Sequence, residues 1–108
     1  MVCRSSAAPA FALAFAVLAG GAHAAPAVHT VVIDGMRFIP QNLEVKAGDT
    51  VVWRNKDPFP HNATGAAGGP VSPAIASGAS WKFTASKRGR YPYLCTLHRT
   101  MTATLVVK

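Results

Sequence analysis

The sequence is short of acidic residues, cysteines, long apolar runs and helical stripes. It has four Asp and Glu in 108 residues, against eleven Lys and Arg. The excess of basic charge suggests acidic partners or an anionic surface. It has two cysteines, Cys3 and Cys95, and no run of about 20 apolar residues long enough to span a bilayer. No stripe of apolar residues at helical spacing runs for a useful length, and there is neither an internal repeat nor a second block of distinct composition. The cations are spread along the chain except for Lys87, Arg88 and Arg90 around one turn. A short cluster of that kind is ordinarily a solvated face, so nucleic acid is not expected as a partner.

What is present begins with an export pattern. Arg4 gives a positive start, Pro9 to Leu18 is a short apolar run, and Ala22-His23-Ala24 supplies small residues around a cleavage point. Residues 1–24 are therefore expected to be a cleaved signal peptide, with 25–108 as one exported domain that is not inserted in the membrane. Cleavage would remove Arg4 and Cys3, lowering the formal net charge from +7 to +6 and leaving Cys95 as the sole thiol. A lone thiol in an oxidising compartment has no internal disulfide to make, so chemistry is its natural use. A domain this small is also helped by a staple, and a metal is the one available.

The remaining chain reads as strands and turns. Val28 to Asp34 alternates, with His29, Val31 and Ile33 on one side. Leu43 and Val45, then Thr50 to Arg54, Ser80 to Ala85, Tyr91 to Leu94 and Thr102 to Lys108 follow as strands. Asn55 to Gly69 is expected to be loop, and Pro70 to Gly78 shows no period. About seven short strands at this spacing imply an all-β sandwich. Trp53, Phe83, Tyr91, Tyr93 and Leu105 are its candidate core, and His29 is read as a surface residue.

The chemistry is concentrated in Cys95-Thr96-Leu97-His98-Arg99-Thr100-Met101. A thiolate, an imidazole and a thioether recur at three-residue intervals between two strands. His61, after the Thr50 to Arg54 strand, is the candidate fourth donor, because loops at one end of a sandwich gather together. Each residue alone has an ordinary explanation: a surface histidine, a core methionine, an inert buried thiol. Their coincidence at one end points to a metal, and the soft donor set points to copper. Zinc accepts Cys and His but takes thioethers poorly. A thiol enzyme with Cys95 activated by histidine would leave the other donors without a task.

These residues resemble a known family. Y-P-Y-L-C-T-L-H-R-T-M, with the upstream G-D-T-V-V-W-R-N-K-D-P-F-P-H-N, is similar to the cupredoxins, the blue-copper family, and most to its amicyanin branch, whose short Cys-x-x-His-x-x-Met spacing it shares. The resemblance implies a Greek-key sandwich and one copper per chain, cycling between Cu(I) and Cu(II). His61, Cys95 and His98 would be equatorial ligands and Met101 the axial one. It further implies that Asn62 ties the two ligand loops together. The implied role is one-electron transport in the periplasm, without catalysis, by a monomer that meets a redox partner protein. The basic charge suggests that the partner's docking surface is acidic. An exported copper-delivery protein using the same four residues is the alternative. Leu97 and Arg99 stand where amicyanins carry proline, so a less rigid loop with extra backbone donors near Cys95 is expected.

Overall fold

The computed structural model describes residues 25–108; the signal segment and its cleavage point lie outside the described residues. Eight strands follow in order: β1 Val28–Ile33, β2 Phe38–Ile39, β3 Asn42–Val45, β4 Asp49–Asn55, β5 Thr64–Gly65, β6 Ser80–Ala85, β7 Gly89–Cys95 and β8 His98–Val107. They form two four-stranded sheets, β2-β1-β4-β6 and β3-β8-β7-β5. Each sheet contains one parallel pair, β1 with β4 and β3 with β8, and is otherwise antiparallel. The expected all-β sandwich is therefore present, with eight strands in place of about seven.

Period-two patterning decides which face of each strand points inward. Val31 and Ile33 of β1, Val51 and Trp53 of β4, Tyr91, Tyr93 and Cys95 of β7, and Met101, Ala103, Leu105 and Val107 of β8 are all buried. Trp53 is fully buried at the centre. Its indole N–H donates to the Tyr93 hydroxyl at 3.2 Å, and the two rings meet edge to face at 5.5 Å. That partner lets a polar atom enter the core without an unsatisfied donor. Burial pushes the Tyr93 phenol up to about 12, so it stays neutral. The expected core residues thus pack as read, with Phe83 half-buried against the cluster.

Two expectations change. The stretch 55–69 is not all loop, because Thr64 and Gly65 pair with Leu94 and Tyr93 of β7. Two residues carry no readable period, so such a strand is invisible to patterning. The last strand begins at His98, not Thr102, because β7 and β8 form a hairpin closed by Thr96 and Leu97, in which Cys95 faces His98. A register irregularity at Leu94/Cys95 and an outward Arg99-Thr100 pair break the alternation there, which hid the strand.

Candidate metal centre

Three chain segments meet at the end of the sandwich where β4 and β7 finish. The first ends β7 at Cys95, the second is the turn into β8 with His98, and the third is the connection after β4 that carries His61. The third is pinned in place by backbone pairing. His61 exchanges hydrogen bonds with Ile75, at 3.2 Å from its N–H and 2.7 Å to its carbonyl, and β5 then joins β7. Gly65 is required here, since a Cβ at that position would sit 2.7 Å from the Pro92 carbonyl oxygen.

Asn62 locks the segments to one another. Its side-chain amide donates to Thr96 Oγ1 at 2.8 Å, and its Oδ1 accepts from the Thr96 N–H at 3.0 Å and the Thr64 hydroxyl at 2.9 Å. Its own backbone N–H reaches the Cys95 sulfur at 3.4 Å. The tie implied by the family resemblance is therefore present. The N–H aimed at the sulfur is that of Asn62, whereas the sequence had drawn attention to Leu97 and Arg99.

His61 and Cys95 are both fully buried. His61 Nδ1 stands 3.7 Å from Cys95 Sγ, and its Nε2 lies 2.9 Å from an Asp57 carboxylate oxygen. The carboxylate accepts the proton from Nε2, which leaves the Nδ1 lone pair facing the sulfur. Asp57 is itself cradled by the N–H groups of Gly35 at 2.7 Å and Met36 at 2.9 Å. Burial works to raise the Asp57 carboxyl, but these backbone donors and the His61 ring outweigh it and hold it below the usual carboxylate range. Asp57 also donates its N–H to Asn55 Oδ1 at 2.9 Å, and Asn55 is buried with its amide on the Phe59 and Ile75 carbonyls.

His98 is half-buried, its ring edge to face with His61 at a centroid distance of 5.1 Å. Met101 is buried on the inward row of β8 and shares a cavity of about 230 Å³ with Met36. The structure thus brings His61 and Cys95 into direct register, sets His98 beside them and places Met101 on the neighbouring strand. Among the described residues no three His, Cys, Asp or Glu side chains are closed to metal-holding distances.

The donors fit copper. Two atoms bound to one ion at about 2.3 Å for sulfur and about 2.05 Å for nitrogen, lengths taken from zinc sites, stand about 3.6–3.8 Å apart at tetrahedral to trigonal angles. The observed 3.7 Å falls in that interval. A thiolate with imidazole and a nearby thioether is the soft set that copper prefers.

Sequence reasoning missed Asp57 and the Gly35-Met36 turn. The usable signal was an Asp four residues before a candidate ligand His, since ligating histidines regularly give their second nitrogen to a carboxylate. The turn had no signal, because it lies more than 20 residues upstream and only the fold brings it to Asp57.

Comparison with known proteins agrees with this geometry. The model of the cupredoxin-like domain matches residues 7–107. Amicyanin-alpha of Methylorubrum extorquens is 33% identical over 92% of this chain and 91% of its own length. Amicyanin of Paracoccus denitrificans is 35% identical over 68% of this chain, which spans 60% of it, and chloroplastic plastocyanin of Fritillaria agrestis is 33% identical over 82%, spanning 55% of that protein. Among solved structures, a Cu(I) amicyanin mutant superposes with a TM-score of 0.70 at 32% identity, covering 75% of this chain and 82% of that one. The chain belongs to the cupredoxin-like domain family, and its cofactor is copper. Within that family it is most like the amicyanins.

Proposed function

We propose that this chain is an exported type 1 copper protein that carries single electrons in the periplasm, with His61, Cys95 and His98 as equatorial ligands and Met101 as the weak axial one. The observation that supports it most directly is the buried pair of His61 Nδ1 and Cys95 Sγ at 3.7 Å, with the far side of the imidazole fixed on Asp57. Bound copper supplies one reversible electron. The protein's task is to keep the donors from rearranging as that electron comes and goes. Asp57 fixes the tautomer and direction of His61. Asn62 keeps the Cys95 turn and the His61 segment in one relation, and its N–H stabilises negative charge on the sulfur. The outer sandwich excludes water from both buried donors.

His98 is the route to the surface. Phe59 and Leu97, each 53% exposed, flank this end with Pro58 and Pro60, and make an apolar contact zone. Lys56 and Arg99 are exposed at its margin and suit a redox partner with an acidic docking surface. The export signal over residues 1–24 belongs to the same reading.

The test is the visible spectrum of the purified protein after addition of Cu(II). An intense thiolate-to-copper band that disappears in Cys95→Ala supports the site. A protein that stays colourless, or takes zinc in preference, overturns it. Copper delivery from the same four residues is separated by electron self-exchange: a carrier cycles rapidly and reversibly, a delivery protein releases its ion to a chelating acceptor instead.

A further inference from the structure

The two ends of the sandwich differ in charge. β7 runs from Gly89 to Cys95, so the β6–β7 turn lies about 20 Å from the thiol, at roughly 3.3 Å per residue. That remote end also holds the β3–β4 turn, the end of β8 and the approach to β1. Backbone hydrogen bonds bind them into one surface: Ala47 N–H to the Lys108 carbonyl at 2.9 Å, Gly48 N–H to that of Ala85 at 2.7 Å, and Thr50 N–H to that of Ala27 at 2.9 Å. Gly89 faces Val107 across the β7–β8 pair. Lys46, Lys87, Arg88, Arg90 and Lys108 all stand exposed there.

The carboxylates of that end are already taken. Asp49 is buried and accepts from His29 and from the N–H groups of Ala27 and Lys46. Glu44 pairs with Lys108 at 3.0 Å. Lys46, Lys87, Arg88 and Arg90 have no acidic partner among the described residues.

We infer that this basic end docks peripherally on an anionic phospholipid bilayer. One observation favours a lipid surface over a protein. The charges are spread over the β3–β4 turn, the β6–β7 turn with the start of β7, and the end of β8, which suits a broad anionic plane and not a groove. Docked in this way, the protein turns His98 toward solvent. That benefit rests on the copper reading above, whereas the docking itself does not.

The test is co-sedimentation of the full exported chain with vesicles of phosphatidylcholine alone or mixed with phosphatidylglycerol. Binding is expected to the anionic vesicles only, with release as salt is raised. The triple variant Lys87→Gln, Arg88→Gln, Arg90→Gln should bind on the order of a hundredfold more weakly, at about fivefold per cation. It leaves intact the hydrogen bond from the Tyr91 hydroxyl to the Lys87 carbonyl that shapes the turn. The pair Lys56→Gln, Arg99→Gln should bind like the parent. Equal binding to neutral vesicles, no binding at all, or loss in the Lys56 and Arg99 pair instead would each overturn the inference. So would a triple variant that keeps vesicle binding but loses retention on an immobilised acidic protein. A colourless protein that still shows the expected vesicle binding would sink the copper ligands and leave the docking surface standing.

Discussion

At the scale of single residues, Asp57 carries the largest consequence. It is buried, negatively charged and bonded to the far side of His61. A negative charge beside His61, the proposed ligand, favours the more positive Cu(II) state. Asp57→Asn removes the charge and keeps one acceptor oxygen, which can serve either the Gly35 N–H or the side shared by Met36 and His61, but not both. The reduction potential should therefore rise on voltammetry, and copper affinity should fall by roughly 10–100-fold. An unchanged potential would mean that the carboxylate acts only as a brace. Asn62 offers a different test. Asn62→Ala strips three side-chain hydrogen bonds and leaves the part-buried Thr96 N–H short of a partner. Urea unfolding of the copper-free protein should then show a loss of about 1–3 kcal/mol.

These two residues also mark the limit of what the sequence discloses. Cys95, His98 and Met101 are legible because they crowd into seven consecutive positions. His61 is legible as the histidine that follows the right strand. Asn62 emerges only through resemblance. Asp57 escapes, because its role depends on a backbone turn more than 20 positions away, and no local pattern encodes that meeting.

At the scale of elements, strands with unbroken alternation were readable, whereas two-residue β5 and the irregular start of β8 were not. β1, β4 and β6 hold six or seven residues each, enough for alternation to show. β5 holds two, yet it couples the His61 segment to the Cys95 strand. Gly65→Ala puts a methyl group against the Pro92 carbonyl and should cost about 1–3 kcal/mol. The same variant should show a broadened or weakened visible band, whereas a mutation confined to the remote end should not. Asp49 ties three elements at that remote end: the approach to β1, β1 itself through His29, and the β3–β4 turn. The His29 hydrogen bond, followed by those from Ala27 and Lys46, lowers its carboxyl from 3.8 to about 2. The folded state therefore binds this proton less readily than the unfolded chain. The stabilisation is complete above the unfolded value and is lost as pH falls through 3.8 toward about 2. Acid unfolding of Asp49→Asn should accordingly show a shallower pH dependence in that window, and an identical profile would exclude the linkage.

At the scale of the whole molecule, the distribution of charge should govern encounter with a partner. Lys56 and Arg99 border the apolar zone around His98, with the larger basic surface at the opposite end. Steering by such charges is screened over about 10 Å at 0.1 M salt. Electron transfer to an acidic partner should slow as ionic strength rises, and Arg99→Gln should flatten that dependence. A rate insensitive to salt would rule out electrostatic steering. The overall architecture was the most legible level, since alternation, turn residues and the lack of helical stripes all agree on a sandwich. The pairing order of its strands was not, because β1 with β4 and β3 with β8 are parallel partners that no local signal announces.

The Asn62 latch has one more effect. It is made wholly of protein atoms, so it joins the His61 and Cys95 segments without needing an ion. A frame held in this way should not depend on copper for its shape. The ion's arrival and departure should leave amide hydrogen exchange across β4, β7 and β8 nearly unchanged, and the emptied protein should survive to be reloaded.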